Sequence, residues 1–374
     1  MKGEEGYVIT PWEVSGNIDY DDLIKRFGTS HIDAELLARI EKLAGGIHFM
    51  LRRGIFYSHR DFNWILDQYE KGHQFAMYTG RGPSGHTHVG HLMPWIFAKW
   101  IQDKFGVELY FQLTDDEKFL FNFDMDLKTT HSYALENALD VIALGFDPDK
   151  THIFIDTDYI HTLYPIALKV AKRLNFSNVK AVFGFDNSTN VGSIFYTSIQ
   201  SAPCFLPTEL KGKDVPVVIP CGIDQDPHFR LTRDISNTLG YHKPALLHNK
   251  LAPSLDGTGK MSASIPKTTI FTTDTPKEVK SKLSNAFTGG CISAQEQREK
   301  GGDPDICAIQ NYRYYIFEDD DRIVQDIAER CRNGDILCGE CKANLIQKVN
   351  DFLDKHQKER EKAKNRLDDF LLYD

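Results

Sequence analysis

Hydrophobic residues follow two different periods along this chain, and between residues 75 and about 264 the two periods alternate. Short apolar runs predict buried strands, and apolar residues that recur every three or four positions predict helices. Strands are predicted at 75–78, 107–113, 152–155, 179–183, 215–219 and 245–247, with helices between them, for example at 133–144 and 227–239. This alternation is typical of a parallel sheet that carries helices on both faces and binds ligands beyond the carboxyl ends of its strands.

The flanking regions show other patterns. Before residue 75 there is a short extended piece at Pro11-Trp12-Glu13-Val14, followed by helices near 33–44 and 62–71. After Ser264 the strand pattern stops, and helices are predicted at about 276–287, 305–332 and 338–370. We therefore expect three parts: an N-terminal extension at 1–74, an α/β domain at 75–264 and an all-α domain at 265–374.

Composition is that of a soluble globular protein, with 374 residues of which 41% are hydrophobic and 26% are charged. The apolar runs are far shorter than the roughly 20 residues that cross a bilayer, and the start MKGEEGYVIT has no apolar signal core. We therefore expect a cytoplasmic protein without a membrane partner. Seven cysteines, an odd number, argue against a disulfide framework. The net charge of -9 does not exclude a nucleic-acid partner, because binding depends on where positive charge clusters.

The stretch from residue 75 to 106 carries the first candidate site. A strand leads into the turn Thr79-Gly80-Arg81-Gly82-Pro83-Ser84-Gly85, and a helix then opens with His88-Val89-Gly90-His91. The glycines of the turn allow the backbone to approach a ligand closely, and the free N–H groups at the start of a helix favour phosphate. Gly90 has no side chain that would obstruct a flat base between the two imidazoles.

A second motif, Gly259-Lys260-Met261-Ser262-Ala263-Ser264, lies in a polar loop just before the expected domain boundary. A lysine in a mobile loop can close on a triphosphate and stabilise the charge that develops in the transition state. Alone, such a lysine is commonly only solvated. Its combination with the His-x-Gly-His turn, about 170 residues upstream, makes the signal specific.

Together the two motifs resemble the signature sequences of the class I aminoacyl-tRNA synthetases. Further blocks resemble the tryptophanyl-tRNA synthetase family of the eukaryotic and archaeal type: YTGRGPS at 78–84, FQLTDDEK at 111–118, SIQSAP at 198–203, IPCGIDQDPHFRLTRD at 219–234 and KPALLH at 243–248. The resemblance implies a Rossmann-type catalytic domain, whose insertion at about 120–210 joins a homodimer, and a helical anticodon-binding domain. The implied reaction couples L-tryptophan to tRNA(Trp) with ATP and Mg²⁺.

The resemblance also implies roles for individual residues. Tyr78 and Gln112 would bind the indole N–H of tryptophan, Glu117 its ammonium group, Gln200 its carboxylate or ammonium group, and Gln225 would also face the amino acid. The implied ATP-binding residues are Thr79, Gly80, Arg81, His88, Gly90, His91, Gly222, Asp224, Lys260, Met261 and Ser262, and the implied catalytic residues are His88, His91, Lys260 and Ser262. Because an indole N–H only donates, phenol and amide oxygens in an apolar wall suit it.

Several of these assignments have alternatives. The acids at 115, 116 and 226 can cap helices, a three-carboxylate metal site at 115–117 is a lesser candidate, and Gln200 can be a buried amide bonded to the backbone. His86, His88 and His91 could form a metal triad, although the glycines and the lysine loop suit phosphate better. The basic segments 51–54 and 58–61 are more typical of capped turns than of a site. The nearest rival family is tyrosyl-tRNA synthetase, and a non-catalytic RNA-binding or partner-binding relative is a third reading.

Four cysteines in the helical region form the last candidate site. Cys307, Cys331, Cys338 and Cys341 include the spacing C-x6-C-x2-C. Four thiolates can hold a four-iron four-sulfur cluster or a zinc ion. The spacing resembles a set in some bacterial tryptophanyl-tRNA synthetases, with the first gap here one residue longer. Free cysteines in a helical core are the alternative.

Overall fold

The computed structural model describes residues 18–374, together with the backbone of two short strands before them. The piece predicted at Pro11-Trp12-Glu13-Val14 lies outside the described residues, apart from the backbone of Val14. The strands are β1 Val8–Ile9, β2 Val14–Ser15, β3 Ser30–His31, β4 Phe56–Arg60, β5 Ala76–Arg81, β6 Glu108–Leu113, β7 Thr151–Ile155, β8 Val217–Gly222, β9 Ala245–Asn249 and β10 Leu371–Leu372. The helices are α1 Tyr20–Phe27, α2 Ala34–Ala44, α3 Phe49–Arg52, α4 Phe62–Glu70, α5 Val89–Phe105, α6 Asp115–Phe121, α7 Leu127–Ala143, α8 Ile160–Ala171, α9 Phe176–Phe183, α10 Val191–Ser201, α11 Leu206–Lys211, α12 Asp226–Leu239, α13 Pro276–Ser284, α14 Ala294–Lys300, α15 Ala308–Tyr312, α16 Asp321–Arg332 and α17 Cys338–Ala363.

Eight strands form one sheet in the order β10-β7-β6-β5-β8-β9-β4-β3. The strands from β10 to β9 are parallel to their neighbours, whereas β4 and β3 continue the sheet antiparallel. From β5 the chain moves outward through β6 and β7, and it returns on the other side of β5 as β8 and β9. The carboxyl ends of β5 and β8 therefore border the crevice where the strand order reverses, which is where open α/β sheets bind ligands. The predicted α/β fold with a Rossmann-type parallel sheet is confirmed.

Both faces of the sheet are covered by helices. Successive residues of a strand point to opposite faces, so Phe111 of β6 packs in one core with Leu92 of α5, and Tyr110 packs in the other core with Leu163 of α8. Strands that are buried on both faces are apolar throughout. This is why the central strands could be recognised from short apolar runs.

Two sequence-based expectations about the strands were wrong. The segment 179–183 is helical, because Asn175 caps the start of α9 and Val179 and Phe183, four residues apart, are both buried. The strands also do not stop at Ser264, since β10 pairs with β7 at the sheet edge. In addition β4, which precedes residue 75, pairs with β9. The sheet therefore extends beyond the 75–264 segment at both ends of the chain.

The helical region beyond residue 265 is more broken than its sequence pattern indicates. The helix predicted at 305–332 is divided into α15, a π-helical turn at Arg313–Phe317, and α16. Helix α17 packs on α7 of the α/β part, where His356 Nε2 lies 2.9 Å from Oδ1 of the buried Asp140 and Arg360 pairs with the same carboxylate. Among the described residues, no helix is long and apolar enough to cross a membrane.

Candidate active site

A cleft of about 370 Å³ opens at the crevice between β5 and β8. All but one of the residues predicted to bind ATP or tryptophan line it. They are Tyr78, Thr79, Gly80, Arg81, His88, Gly90, His91, Gln112, Glu117, Gln200, Gly222, Asp224, Gln225, Lys260 and Met261. The exception is Ser262, whose Oγ lies 2.9 Å from Ser264 Oγ and whose carbonyl accepts a hydrogen bond of 2.7 Å from Thr269.

The turn after β5 is organised by Arg81. Its buried guanidinium donates to Thr87 Oγ1 at 2.6 Å and to the carbonyl oxygens of Gly85 at 3.0 Å and His86 at 2.9 Å. Burial lowers the pKa of Arg81 to about 10, which still leaves the side chain charged at neutral pH. A fixed positive charge therefore lies beside the N-terminus of α5, where an anion is favoured.

Gly80 of the turn is required by close packing, because a Cβ there would lie 2.6 Å from the backbone carbonyl oxygen of Gln112 on β6. A Cβ on Gly82 would lie 2.0 Å from Cε of Lys118, so the Lys118 side chain would have to move. The glycines thus allow the turn to lie directly against β6 and the Lys118 side chain.

His88 and His91 stack on each other at the start of α5, with ring centroids 3.5 Å apart. His88 is buried and His91 is half-buried. Desolvation, followed by the charge of Arg81, lowers the pKa of each imidazole well below its usual value. The backbone N–H of His88 donates to Nδ1 of His91 at 3.2 Å, which leaves the proton of the neutral His91 ring on Nε2. At neutral pH the pair consists of neutral hydrogen-bonding rings, not cations.

Lys260 and Asp224 face each other across the cleft. Lys260 Nζ lies 3.6 Å from Asp224 Oδ2. Asp224 follows β8 directly, and a Cβ on Gly222 would lie 2.5 Å from its Oδ1, so glycine is needed for this approach. The predicted ribose ligand and the predicted phosphate ligand are thus on opposite walls of one site.

The inner end of the cleft contains a directed chain of side-chain hydrogen bonds. Tyr196 donates to Gln200 Oε1, and Gln200 Nε2 donates to the Tyr78 hydroxyl at 3.0 Å. The Tyr78 hydroxyl donates to Gln112 Oε1 at 2.5 Å, and Gln112 Nε2 lies 2.9 Å from both carboxylate oxygens of Asp156. Gln200 is therefore bonded to side chains of the pocket, which differs from the backbone-bonded amide of the alternative reading.

Glu117 lies at the junction between this pocket and the phosphate-binding turn. Its Oε2 accepts from Thr114 Oγ1 at 2.6 Å, and its Oε1 accepts from Lys118 Nζ at 2.7 Å. Lys118 also lines the cleft, and sequence reasoning assigned it no role. A carboxylate at this position suits an ammonium group of a ligand that bridges the two parts of the cleft.

Comparisons of this chain with known proteins identify one family. The model of "tRNA synthetases class I (W and Y)" matches residues 70–354. A tryptophan–tRNA ligase of Pyrobaculum arsenaticum is 53% identical over 98% of this chain and 98% of its own length. The chain belongs to the tryptophan–tRNA ligase family.

Solved structures agree with this assignment. The tryptophanyl-tRNA synthetase of Plasmodium falciparum has 42% identity and a TM-score of 0.87, with 92% of this chain and 94% of that chain covered. The enzyme of Encephalitozoon cuniculi, solved bound to tryptophan, has 36% identity and a TM-score of 0.87, with 96% and 99% covered. The ligase fold therefore extends over nearly the whole chain, and the predicted family is confirmed.

Three acids behind the pocket of this ligase, Asp115, Asp116 and Asp156, contact each other or other elements, beyond capping a helix. Asp115 accepts from the backbone N–H of Thr157 at 3.2 Å and from its hydroxyl at 2.6 Å, which ties α6 to the end of β7. Asp116 accepts from the N–H of Glu117 at 2.7 Å and also faces Asp156. Asp156 went unnoticed in the sequence, although it directly follows a predicted strand and so lies at the ligand-binding edge.

The basic segments 51–54 and 58–61 make structural contacts, but 58–60 belongs to β4 and 51–52 to α3, so the predicted capped turns were wrong for these residues. Arg53 donates to Asp321 at 2.6 Å and to the carbonyl oxygens of Tyr314 and Glu318, and thereby joins α3 to the helical region. Arg60 forms a bidentate pair with Asp226, with distances of 2.6 and 2.9 Å. Asp226 is thus an ion-pair partner of β4, and this contact holds the segment that carries Asp224 and Gln225.

All four predicted cysteine ligands line one small cavity in the helical region. Burial, followed by the neighbouring sulfurs of Cys307, Cys341 and Cys338, raises the pKa of the Cys331 thiol to about 11. The cavity wall also includes Gly290, where a Cβ would lie 2.3 Å from Cys338 Sγ. All seven cysteines are free thiols. Within the described residues, no three histidine, cysteine or carboxylate side chains converge closely enough to hold a single metal ion.

Proposed function

We infer that this enzyme activates L-tryptophan with ATP and transfers it to tRNA(Trp). The observation that carries the inference is the single cleft that joins the Arg81 turn and Lys260 to the Tyr78–Gln112 pocket. An ATP-binding half and an amino-acid-binding half must adjoin for adenylation, because the substrate carboxylate attacks the α-phosphate directly. The family assignment supports the same reaction.

The chemistry requires no nucleophilic side chain of the protein. The tryptophan carboxylate forms a bond to the α-phosphate of ATP, and pyrophosphate leaves. We assign Lys260, the N–H groups at the start of α5 and the neutral ring of His91 to stabilising the charge on the phosphates in the transition state. Mg²⁺ bound to ATP would supply further positive charge. In the second step a ribose hydroxyl at the end of the tRNA attacks the adenylate and releases AMP.

The arrangement of polar groups supports the proposed tryptophan contacts. Glu117 is the carboxylate nearest the junction of the two halves and suits the substrate ammonium group, which would replace Lys118 as its partner. Tyr78 and Gln112 offer oxygen acceptors for the indole N–H. We assign Gln200 to orienting Tyr78, since its amide donates to that hydroxyl, and Gln225 lines the cleft beside them.

Aminoacylation of purified tRNA tests the proposal. The enzyme should attach labelled tryptophan to a tRNA(Trp) transcript and leave a tRNA(Tyr) transcript uncharged. Charging with tryptophan alone is expected because the pocket acceptors suit an indole N–H. Attachment of tyrosine to tRNA(Tyr) would contradict it, and a chain that charges neither tRNA would support a binding protein instead.

We also propose that the enzyme is a cytoplasmic homodimer that associates through the region 120–210. Of the 15 large hydrophobic residues exposed in the described part of the chain, eight lie in this region. They are Phe123, Leu127, Ile160, Tyr164, Leu168, Phe176, Val191 and Leu210. Ile160, Tyr164 and Leu168 are spaced by four and form an exposed stripe along α8. An apolar stripe on a soluble helix is typical of a surface that a second copy covers.

We further propose an iron–sulfur cluster at the four cysteines. The fully buried Arg313 donates to Cys341 Sγ at 3.4 Å, and its other recorded contacts are with the neutral groups of Gln310, Asn344 and the Cys341 carbonyl. A buried guanidinium without a carboxylate partner suits an anionic group nearby. A four-iron four-sulfur cluster takes four cysteine thiolates, and all four of these cysteines line one cavity. Bound there, it would add negative charge beside Arg313 and cross-link α15, α16 and α17.

Metal analysis of protein purified without air tests this second proposal. Iron with acid-labile sulfide and a broad visible absorption band are expected. Cys338→Ser should lose the iron, whereas Cys291→Ser should keep it, since Cys291 does not line the cavity. Zinc in place of iron would reject the cluster but keep the site, and an active enzyme free of both metals would reject the site.

A further inference from the structure

The hydrogen-bond chain at the inner end of the cleft runs in one direction only. Each member donates to the next, from Tyr196 through Gln200, Tyr78 and Gln112 to Asp156. The direction is fixed by the last member, because a carboxylate oxygen that accepts cannot face another acceptor. If the Gln112 amide rotated by half a turn, its oxygen would lie against the carboxylate of Asp156, and its NH₂ group would face the Tyr78 hydroxyl and the pocket.

The chain leaves only acceptors free on the two groups at the pocket. The Tyr78 oxygen donates its proton to Gln112 and accepts from Gln200, so one lone pair remains. The Gln112 oxygen has used one of its two lone pairs on Tyr78. A ligand group that donates a hydrogen bond can therefore bind here. A ligand group without a proton to donate leaves the buried lone pairs of Tyr78 and Gln112 unpaired.

Asp156 can hold this orientation because its own proton is directed away from Gln112. Asp156 is fully buried and its carboxyl group is hydrogen-bonded to that of Asp116, whereas Asp115 accepts from the backbone N–H and the hydroxyl of Thr157. Two buried carboxyl groups in contact share one proton, since both cannot ionise at short distance. The shared proton lies between the two acids, and the oxygens that face Gln112 remain acceptors.

We propose that Asp156, supported by Asp116, is the positioning residue that fixes the Gln112 amide and thereby makes the pocket select an indole N–H. The proposal rests on the assignment of Tyr78 and Gln112 to tryptophan binding made above. Asp156 lines no part of the cleft, so it acts only through Gln112. Selection by the pocket is thus set by a residue that the substrate does not touch.

The test compares two substrates in ATP–pyrophosphate exchange. One is tryptophan, and the other is 3-(benzothiophen-3-yl)alanine, in which sulfur replaces the indole N–H. The readout is the ratio of their kcat/KM values. Asp156→Leu should lower this ratio by about tenfold or more, because the freed amide no longer offers only acceptors. A role in packing alone would lower both kcat/KM values together and leave the ratio unchanged.

Asp156→Asn is the matched control. Its NH₂ group can donate to Asp116 while its carbonyl oxygen accepts from Gln112, so the direction of the chain and the ratio should be preserved. If Asp156→Leu does not fold, Asp156→Ser replaces it, since a hydroxyl donates as readily as it accepts and does not fix the amide. An unchanged ratio in Asp156→Leu or Asp156→Ser would overturn the proposal. A parent enzyme that itself fails to prefer tryptophan would instead overturn the assignment of the pocket.

Discussion

At the scale of single residues, burial decides the charge of the histidines that are proposed to bind ATP. The two histidines of the His-x-Gly-His turn are neutral because burial and the neighbouring Arg81 lower their pKa values. Positive charge in the phosphate half of the cleft therefore comes from lysine and arginine. Among these cationic residues, Lys260 was predicted from the sequence to lie on a loop that closes over the ligand. Its Nζ lies 3.6 Å from Oδ2 of Asp224.

Replacement of Lys260 should affect the chemical step selectively. We expect Lys260→Ala to lower the rate of adenylate formation by about 10²- to 10³-fold, because charge stabilisation in the transition state is lost. Tryptophan affinity, measured by quenching of fluorescence or by calorimetry, should change little. Lys267→Ala is the control, since Lys267 is exposed on the same loop and does not line the ATP cleft. Equal losses of affinity and rate in Lys260→Ala would contradict a transition-state role.

The acid pair behind the pocket should give the enzyme a distinctive dependence of stability on pH. Burial above all, together with the charges of Asp115 and Glu117 and against the lowering effect of its bond to Asp156, raises the pKa of Asp116 to about 7. The unfolded chain ionises this acid near its usual pKa, so between that value and about 7 the folded protein binds more protons. Stability contributed by the protonated form is therefore lost as pH rises through this window.

Asp116→Asn removes this loss. The difference in melting temperature, variant minus parent, should be larger at about pH 8 than at about pH 5. Ionisation of Asp116 destabilises the parent as the pH rises, and the variant has no carboxyl group at this position. Differential scanning fluorimetry at both pH values measures the difference. The same substitution at the exposed Asp124 should give a difference that is independent of pH. A pH-independent difference for Asp116→Asn as well would contradict the proposed pair.

At this scale, sequence patterns identified site residues only where those residues are neighbours in the sequence. The turn at 79–85, the two histidines and the Lys260 loop are contiguous motifs, and each of them contributes residues to the lining of the cleft. Asp156 and Lys118 could not be assigned, because their roles depend on which side chains from other elements they meet. An acid directly after a strand was the one available signal for Asp156.

At the scale of elements, the position of the cleft follows from the order of the strands. Because β6 and β8 lie on opposite sides of β5, the loops that follow β5 and β8 separate and leave a crevice. The apolar runs of β5 to β9 made this arrangement predictable. The strands β4 and β10 were not predictable, since β4 contains buried polar groups such as Ser58, which bonds to His248 at 3.0 Å, and β10 has only two residues.

The contact between α3 and the helical region offers a paired test of element packing. Arg52 and Arg53 both bind Asp321 and each donates to two backbone carbonyls, but the side chain of Arg53 is buried whereas that of Arg52 is exposed. Arg53→Ala should lower the free energy of unfolding by about 2 kcal/mol, because water does not readily replace the donor that its carbonyl partners lose. Arg52→Ala, at an exposed pair, should cost less than about 1 kcal/mol. Denaturant unfolding measures both, and equal losses would contradict this account of the contact.

At the scale of the whole molecule, the distribution of exposed apolar residues indicates assembly. We expect Tyr164→Glu combined with Leu168→Glu to convert a dimer to a monomer, because two charges on the α8 stripe would be buried without partners. Light scattering during size-exclusion chromatography measures the mass. Ile323→Glu is the control, as Ile323 is also an exposed apolar helix residue but lies on α16, far from the stripe in sequence. A parent that is monomeric, or a double variant that stays dimeric, would contradict the surface.

The central claim is that one cleft combines an ATP site with a pocket for tryptophan. Amino-acid-dependent exchange of pyrophosphate into ATP tests it most directly, with tryptophan and tyrosine compared side by side on the purified protein. We predict exchange with tryptophan and none with tyrosine. Exchange with tyrosine would retain the fold and the reaction but contradict the pocket formed by Tyr78, Gln112 and Glu117, and exchange with neither amino acid would contradict adenylation itself.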